Sequence, residues 1–324
     1  MMKFVYSIGL IFCGLLLGQG IRKRVDTESI KASVPVEKYI RFIQKFAILG
    51  INPIITLGAF WGVGITNIRF IALPVLGIIA ITIGGILGFV VSKQMKHGRK
   101  QTGSMFVSSS FTNIGNFGGL ICFAFFGELS YAFVSMYKMF EEILYFMVGY
   151  PIAKLHGDHG DNIKTKNPLL RIITDPFIYV YFISITIGLV LNVSGYVRPS
   201  IYQNINEILI PLSSIFLITS VGFYMKIRAI GSYLKECMAI ASIKFIIMPI
   251  VIVTLAYLMG LRSVSDGLLF KVVLVLSAMP PAFNSLIPPQ IYGLDVDLAN
   301  SSWLFSTGLL IVVVPILYYI VNMI

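Results

Sequence analysis

The chain is a succession of apolar runs, each about as long as a helix must be to cross a lipid bilayer. A transmembrane helix takes roughly 20 apolar residues to span ~30 Å of hydrocarbon. Hydrophobic residues make up 57% of the chain and charged residues only 12%, whereas a soluble domain carries about 25% charged residues. We therefore predict an all-α polytopic membrane protein with ten transmembrane helices. The ten predicted spans are 3–21, 39–62, 67–92, 104–126, 129–153, 173–196, 201–225, 234–260, 268–292 and 298–322.

Lysine and arginine are distributed unevenly among the loops between these spans. Seventeen lie in the first, third, fifth and seventh loops, and four lie on the opposite side of the membrane. The positive-inside rule places these odd-numbered loops in the cytoplasm and both termini outside. The net charge of +11 therefore reflects topology. We expect a multi-pass protein of the cell (plasma) membrane, whose partners include the lipid bilayer and no nucleic acid.

The sequence carries no motif of an enzyme or a metalloprotein. It lacks a GxxxxGK[ST] phosphate-binding loop, a GxSxG nucleophile turn and an HExxH zinc motif. Cys13, Cys122 and Cys237 are scattered through apolar segments and have neither disulfide nor metal spacing. The HGDH stretch at 156–159 has two closely spaced histidines but no evident third ligand. We expect neither catalysis nor a bound metal or cofactor. We also expect the first apolar run to be retained as a helix, because no convincing cleavage site follows it.

Similar elements recur in the two halves of the chain. NPIITLGAFWGVGITNIR at 52–69 and IPLSSIFLITSVGFYMKIR at 210–228 share a proline, an apolar run, a Val-Gly pair and an Ile-Arg pair. Each is followed by a small-residue stretch with a helix breaker and a central asparagine, SSFTNIGNFGGL at 109–120 and SAMPPAFNSLI at 277–287. The alternative explanation is a chance similarity between apolar helices.

The second copy follows the first after five spans. Because an odd number of spans turns the second copy upside down, we predict two inverted five-helix repeats, as in many secondary transporters. The polar stretch KLHGDHGDNIKTKNP separates the two copies. The predicted divisions are 1–157 for the first repeat, 158–172 for a cytoplasmic hinge loop and 173–324 for the second repeat.

Helix breakers fall near the middle of the fourth and ninth predicted spans. We expect these helices to cross and to be broken at Asn113–Asn116 and Pro280–Ala282, because proline and glycine interrupt a helix there. Each break starts a half-helix whose free N–H groups and positive dipole end favour an anion. Kinks that serve only helix packing are the alternative. The predicted substrate-binding residues are Asn113, Ile114, Gly115, Asn116, Pro280, Pro281, Ala282, Asn284 and Ser285.

Three ionisable residues lie in the fifth predicted span, within the stretch YKMFEEILY. Charged groups inside a membrane usually face the protein interior, and the spacing lets Lys138 meet Glu141 or Glu142 on one helix face. These residues, together with Thr112, either bind a coupling proton or sodium ion or form a neutralised network between helices. Lys244 in the eighth span either attracts an anionic substrate or extends its amine towards the membrane surface.

Three stretches resemble signatures of one family of membrane carriers. SAMPPAFNSLIPPQIYGLDVDLANSS is similar to the ninth-helix signature of the auxin efflux carrier family, SSFTNIGNFGG to its fourth and TDPFIYVYFISITIGLVLNVSG to its sixth. The resemblance covers essentially the whole chain, and Pro-Pro and IPPQ are departures from the usual ninth helix. It implies the fold of bile-acid sodium symporters, with a dimerising scaffold of helices 1, 2, 6 and 7 and a transport domain of helices 3–5 and 8–10. It also implies an elevator-type mechanism.

These features together predict a secondary active transporter, or a facilitator, of small organic anions such as mono- or dicarboxylates. We expect the anion to bind where helices 4 and 9 cross, in a homodimer, with H⁺ or Na⁺ as the alternatives for a coupling ion. Two other functions stay open. One is a sodium-coupled symporter of a bulkier anion of the bile-acid type, and the other is a membrane sensor that binds a ligand without moving it.

Overall fold

The computed structural model describes residues 2–27, 35–63, 68–157, 176–224 and 230–324. In this part of the chain the regular secondary structure is helical, apart from one isolated β-bridge between Thr112 and Pro281. The predicted hinge loop at 158–172 lies outside the described residues.

Sixteen α-helices occur in the described residues, several of them joined end to end by short π-helical or 3₁₀ turns. The α-helices are α1 (Met2–Asp26), α2 (Val36–Phe46), α3 (Asn52–Gly62), α4 (Ala72–Gln94), α5 (Arg99–Ser110), α6 (Gly119–Phe126), α7 (Ser130–Tyr137), α8 (Glu141–Leu144), α9 (Tyr150–His156), α10 (Pro176–Val193), α11 (Ile201–Tyr224), α12 (Leu234–Ser242), α13 (Met248–Leu258), α14 (Leu268–Ser277), α15 (Ile287–Tyr292) and α16 (Val296–Met323). The π-helical turns are Ala47–Ile51, Ile114–Gly118, Tyr145–Gly149 and Ile243–Ile247, and the 3₁₀ turns are Ile68–Ile71, Ile230–Tyr233, Leu261–Ser263, Ser265–Gly267 and Phe283–Leu286.

Five continuous helical segments of the described chain are long and apolar enough to cross a membrane. They are Val36–Gly62, Ile68–Gln94, Ile201–Tyr224, Gly231–Leu258 and Val296–Met323. Shorter apolar helices run over Ile114–Phe126 and Ile178–Val193. The all-helical prediction is confirmed for the described residues, and these lengths agree with a polytopic membrane protein. The arrangement as ten spans in two inverted repeats stays a prediction.

Three of the π-helical turns end two residues before a proline. The prolines are Pro53, Pro151 and Pro249, each at the start of the α-helix that follows the turn. Proline lacks an N–H, and its ring collides with the carbonyl four residues earlier, so the turn before it widens. The wider turn accommodates the ring, and the helical segment continues through the proline.

The chain divides into two compact units, each built from separated segments. The first unit comprises Met1–Thr66, Gly119–Ala132 and Thr174–Met225, and the second comprises Asn67–Gly118, Phe133–Ile173 and Lys226–Ile324. The first unit therefore holds α1–α3, α6, α10 and α11, and the second holds α4, α5, α8, α9 and α12–α16. The division into scaffold and transport helices that the resemblance implies stays a prediction.

In the first unit, α1 and α11 pack with their backbones in close contact. A Cβ on Gly18 would overlap with main-chain atoms of Thr219 and Phe223, and a Cβ on Gly222 would overlap with the main chain of Leu15. Small residues allow this close approach, and they are typical of helix interfaces in membranes.

A buried ion pair also lies in the first unit and joins residues that are distant in sequence. Glu128 is 6% exposed, and Arg198 donates to both of its carboxylate oxygens, with Nη2 at 3.0 Å from Oε2. Asn206 Nδ2 donates to Oε1 of the same carboxylate at 2.6 Å, and Arg198 Nη1 donates to Gly58 O at 3.0 Å. The carboxylate therefore has donors on both oxygens, which a buried charge requires.

In the second unit, α5 lies directly on the backbone of α4. A Cβ on Gly84 would overlap with the carbonyl of Ser109. The hydroxyl of Ser110 donates to Ile81 O at 2.8 Å. Because these contacts fix the last turn of α5, they also position the chain that leaves it.

Candidate functional site

Two α-helices of the second unit stop inside predicted spans and resume after a short extended stretch. α5 stops at Ser110, and helical structure resumes at Ile114. α14 stops at Ser277, and helical structure resumes at Phe283. The prediction that the fourth and ninth spans are broken is therefore confirmed, and the second break contains Pro280–Ala282 as expected.

The first break falls earlier than predicted. It covers Phe111–Asn113, and the expectation of a break at Asn113–Asn116 is wrong because Ile114 already begins a π-helical turn. Asn113 explains the shift, since its Oδ1 accepts from Phe117 N at 3.3 Å. A side-chain oxygen that accepts from the first turn is a helix cap, so this asparagine starts the new half-helix at its own position.

The two extended stretches pair with each other as a short antiparallel bridge. Asn113 N donates to Pro280 O at 2.9 Å, and Ala282 N donates to Phe111 O at 3.0 Å. Main-chain groups freed by one break are thus satisfied by the other, as non-helical backbone at membrane depth requires. The paired stretches, named the crossover below, are Phe111–Asn113 and Pro280–Ala282.

Lys244 reaches the crossover from the π-helical turn between α12 and α13. Its side chain is buried, with the residue 1% exposed. Nζ donates to Phe111 O at 3.1 Å and to Thr112 Oγ1 at 2.7 Å. The alternative in which this lysine extends towards the membrane surface is therefore wrong. Its ammonium group lies at the C-terminal end of α5, where unpaired carbonyls and the helix dipole favour a positive charge.

Tyr145 and Glu141 approach the crossover from the fifth predicted span. Thr112 N donates to Tyr145 OH at 3.0 Å, and Tyr145 OH donates to Glu141 Oε1 at 2.6 Å. The ring of Tyr145 stacks on Phe111 with 3.8 Å between centroids. A buried carboxylate is thereby connected to the crossover main chain through one phenol.

The fifth predicted span is not one continuous α-helix. α7 ends at Tyr137 and α8 begins at Glu141, so Lys138 lies in the turn between two helices and not on one continuous helix face with the two glutamates. Whether Lys138 meets either acid stays a prediction. Residues on the two sides of this interruption differ in burial. Glu141 is buried beside Tyr145, whereas Lys138 is only half-buried. Glu141 accepts a hydrogen bond from Tyr145, and Glu142 accepts one from Asn284.

A second set of polar residues near the crossover is half-buried. A Cβ on Gly115 would lie 3.2 Å from Lys138 Nζ, so the ammonium group lies beside the start of the first half-helix. Asn284 Nδ2 donates to Glu142 Oε1 at 3.3 Å, beside the start of the second. The half-buried residues of this set are Gly115, Asn116, Lys138, Glu142 and Asn284.

The remaining residues of the predicted substrate site are buried. Ser285 Oγ donates to Ala282 O at 2.7 Å, so this hydroxyl is used within the turn. Ile114 is 1% exposed and packs in the interior. Asn113 Nδ2 is buried and has no hydrogen-bond partner in the described part of the chain. The structure thus brings the predicted residues to one place, with Gly115, Asn116 and Asn284 the accessible ones among them.

The predicted site does not include Tyr145, and the sequence leaves two alternatives open for Lys244. Each of these two residues has a feature in the sequence that points to its role. Tyr145 follows Glu141 at a spacing of four, the spacing that places two side chains on one helix face. Lys244 lies in the middle of an apolar span, where an ionisable residue usually has a partner in the protein interior.

Comparisons with known proteins agree on the class of the protein. A family described as membrane transport protein matches residues 64–318. An "Uncharacterized transporter" of Methanothermobacter thermautotrophicus is 20% identical over 249 residues, which cover 76% of this chain and 77% of that protein. The range of the family match contains both breaks and all the polar residues around the crossover.

Proposed function

Because the chain belongs to the membrane transport protein family, the auxin efflux carrier family, we propose that it is a secondary transporter of small organic anions such as mono- or dicarboxylates. The transport is active if an ion gradient drives it and facilitated if none does. Family membership supports a non-enzymatic membrane carrier.

The observation that carries this proposal is the pairing of two broken helices in the second unit. Asn113 N and Ala282 N hold the two extended stretches together at 2.9 and 3.0 Å. Each stretch leads directly into a helical start, at Ile114 and at Phe283. Unpaired N–H groups and the positive dipole end of a helix start favour negative charge, so two such starts beside one crossing suit an anion.

The half-buried residues give the site its accessible chemistry. Lys138 supplies a positive charge beside Gly115, and Asn116 and Asn284 supply amide groups near the two helix starts. A carboxylate can accept hydrogen bonds from an ammonium group, side-chain amides and backbone N–H groups at once. A polar group of the same substrate, or a second carboxylate when Glu142 is protonated, would lie towards Asn284 and Glu142. This combination favours a compact mono- or dicarboxylate.

Elevator-type alternating access is the mechanism that we propose for this carrier. Both breaks, and all the polar residues described around them, belong to the second unit. A unit that contains the whole binding site can carry its substrate as one body, whereas the first unit would serve as the scaffold and form the homodimer. Rigid-body motion of one bundle is the common form of alternating access in repeat-built transporters.

For coupling, we propose that Thr112, Lys138, Glu141 and Glu142 are the residues that respond to a driving ion. Two of these, Thr112 and Glu141, are connected through Tyr145. The other two lie at the half-buried helix starts. Protonation of either acid would change the charge around the bound anion, which is the physical basis of proton coupling.

We further propose that the carrier lies in the cell membrane with both termini outside. The distribution of lysine and arginine between odd-numbered and even-numbered loops supports this orientation. Apolar helices of membrane-crossing length, such as Ile68–Gln94 and Val296–Met323, support a multi-pass protein.

Uptake into proteoliposomes tests the function. Vesicles preloaded with one unlabelled carboxylate are mixed with the same labelled carboxylate, across a panel of mono- and dicarboxylates. We expect counterflow with at least one small carboxylate and none with lysine or glucose, which serve as the cation and neutral controls. Binding of a carboxylate without counterflow would favour a sensor. Counterflow confined to bulky sterol acids in the presence of sodium would favour the symporter of the bile-acid type.

A further inference from the structure

Lys244 is placed as a bound cation would be. Its Nζ lies 3.1 Å from a main-chain carbonyl, Phe111 O, and 2.7 Å from a hydroxyl, Thr112 Oγ1. Both oxygens belong to the extended stretch of the first break. Carbonyl and hydroxyl oxygens are also the groups that replace the hydration shell of a monovalent metal ion in a protein site.

The helical segment that carries Lys244 contains a π-helical turn, and this turn directs the ammonium group towards the crossover. Lys244 belongs to the π-helical turn Ile243–Ile247, and Pro249 follows this turn. A π-helical turn contains one more residue than an α-helical turn and changes the direction of the side chains before it. Lys244 is thereby buried against Phe111 and Thr112, although its neighbour Phe245 is part of an otherwise apolar run.

A positive charge stabilises the end of a broken helix at this position. The last carbonyls of α5 have no partner in the next helical turn, and the C-terminal end of a helix carries partial negative charge. Phe111 O accepts from Ala282 N and from Lys244 Nζ, so one carbonyl joins the crossover to the ammonium group. Removing the charge would leave these oxygens without a counter-charge in a buried place.

We infer that the ammonium group of Lys244 is a resident cation of the crossover, held in the place where a carrier would otherwise bind a dissociable metal ion. This rests on the proposed function, because it specifies how the anion site is held together during transport. The carrier consequently binds its anion without sodium. Substitution of Lys244 by a short apolar residue creates a vacancy that sodium or a small alkylammonium ion fills.

Thermal unfolding of purified protein in detergent tests the inference without any substrate. Wild type, Lys244→Ala and the control Lys271→Ala are melted in sodium chloride, methylammonium chloride and choline chloride at equal ionic strength. Lys271 is half-buried in α14, so Lys271→Ala also removes one amine and serves as the matched control. We expect Lys244→Ala alone to melt about 2 °C or more higher in sodium or methylammonium than in choline, which is too large for the vacancy. Wild type and Lys271→Ala should melt equally in all three salts.

Two results would overturn the resident cation. One is a folded Lys244→Ala protein with the same melting temperature in the three salts, and the other is a wild-type protein that sodium stabilises over choline. If Lys244→Ala yields no folded protein, the wild-type comparison decides, since equal melting supports the inference and sodium-specific stabilisation contradicts it. Failure of counterflow in proteoliposomes would remove the proposed transport function while leaving these melting results unchanged, so the two proposals fail separately.

Discussion

Asn113 and Asn284 lie at the ends of the two helix breaks, yet the structure gives them different partners. Asn113 is buried, and its Oδ1 caps the first half-helix by accepting from Phe117 N. Asn284 is half-buried and donates to Glu142. The sequence suggests an equivalence between Asn284 and Asn116, the central asparagines of the two stretches, whereas Asn113 is one of the residues of the first break itself. The cap made by Asn113 is local to its own half-helix, whereas the partner of Asn284 comes from the fifth span, which no local pattern around Asn284 reveals.

The first prediction concerns Asn284. Replacing Asn284 with alanine removes an accessible amide at the second helix start and leaves Glu142 without this donor. Loss of one hydrogen-bond partner that the bound substrate buries costs about 1–3 kcal/mol, so we expect the transported carboxylate to bind about 5- to 150-fold more weakly. Isothermal titration with the carboxylate found by counterflow measures the change. Asn322→Ala, an exposed asparagine near the end of α16, is the control and should bind like wild type; equal affinity of both variants would contradict the site.

The second prediction concerns the two acids of the fifth span. If they respond to the driving ion, Glu141→Gln and Glu142→Gln should retain exchange of substrate and lose accumulation against a gradient. Counterflow and gradient-driven uptake by the same vesicles separate these two activities. Glu207→Gln, an exposed acid on α11, is the control. Unchanged accumulation by the double variant would remove both acids from coupling.

At the scale of elements, prolines and glycines predict where a helix departs from regular α-helical geometry. They do not tell whether the helix breaks there or only widens by one residue. Pro280 and Pro281 mark the second break correctly, whereas the prolines at 53, 151 and 249 are preceded by widened turns without a break. The interruption between Tyr137 and Glu141 has neither proline nor glycine to announce it. A Cβ on Gly77 would overlap with the carbonyl of Tyr137, so close packing against α4 accompanies this interruption. Tertiary contacts of this kind are not visible in one span's sequence.

The third prediction concerns the proline that follows the turn carrying Lys244. Pro249→Ala allows the widened turn to become a regular α-helical turn, and one residue corresponds to about 100° of rotation. We expect Lys244 to lose its contacts with Phe111 and Thr112, and substrate binding to weaken about 5- to 150-fold with normal expression. Titration and size-exclusion chromatography report the two effects.

The control for this variant is Pro315→Ala. Pro315 lies inside α16, where no π-helical turn precedes it. We expect the affinity of this variant to stay near that of wild type. Strong loss of binding in Pro315→Ala together with wild-type binding in Pro249→Ala would show that the widened turn does not position Lys244.

At the scale of the whole molecule, the units are discontinuous in sequence. The segment Gly119–Ala132 belongs to the first unit, although the break that precedes it belongs to the second. The length of the apolar runs correctly predicts a helical membrane protein, because a helix satisfies its own backbone hydrogen-bonding groups in lipid. Run length cannot assign spans to units, because that assignment depends on contacts such as Glu128 with Arg198, which lie 70 residues apart.

The fourth prediction concerns the stability of the first unit. Glu128→Ala leaves the partly buried Arg198 without its carboxylate partner, and breaking a buried ion pair on one side costs up to about 3–5 kcal/mol. We expect a clearly lower melting temperature in detergent. Glu207→Ala removes an exposed acid from the same unit and should leave the melting temperature unchanged. Equal melting of both variants would mean that the ion pair contributes little to the unit's stability.

The antiparallel bridge at the crossover also has a consequence for how the protein is made. Thr112 is synthesised about 170 residues before Pro281, its partner in the bridge. At a typical elongation rate of roughly 5–20 residues per second, the second broken helix is synthesised on the order of ten seconds after the first. During that interval Phe111 O and Asn113 N lack the partners that Ala282 and Pro280 later provide. Until the carboxyl-terminal half is made, these two groups of the newly inserted amino-terminal half must therefore hydrogen-bond to water, lipid headgroups or the insertion machinery.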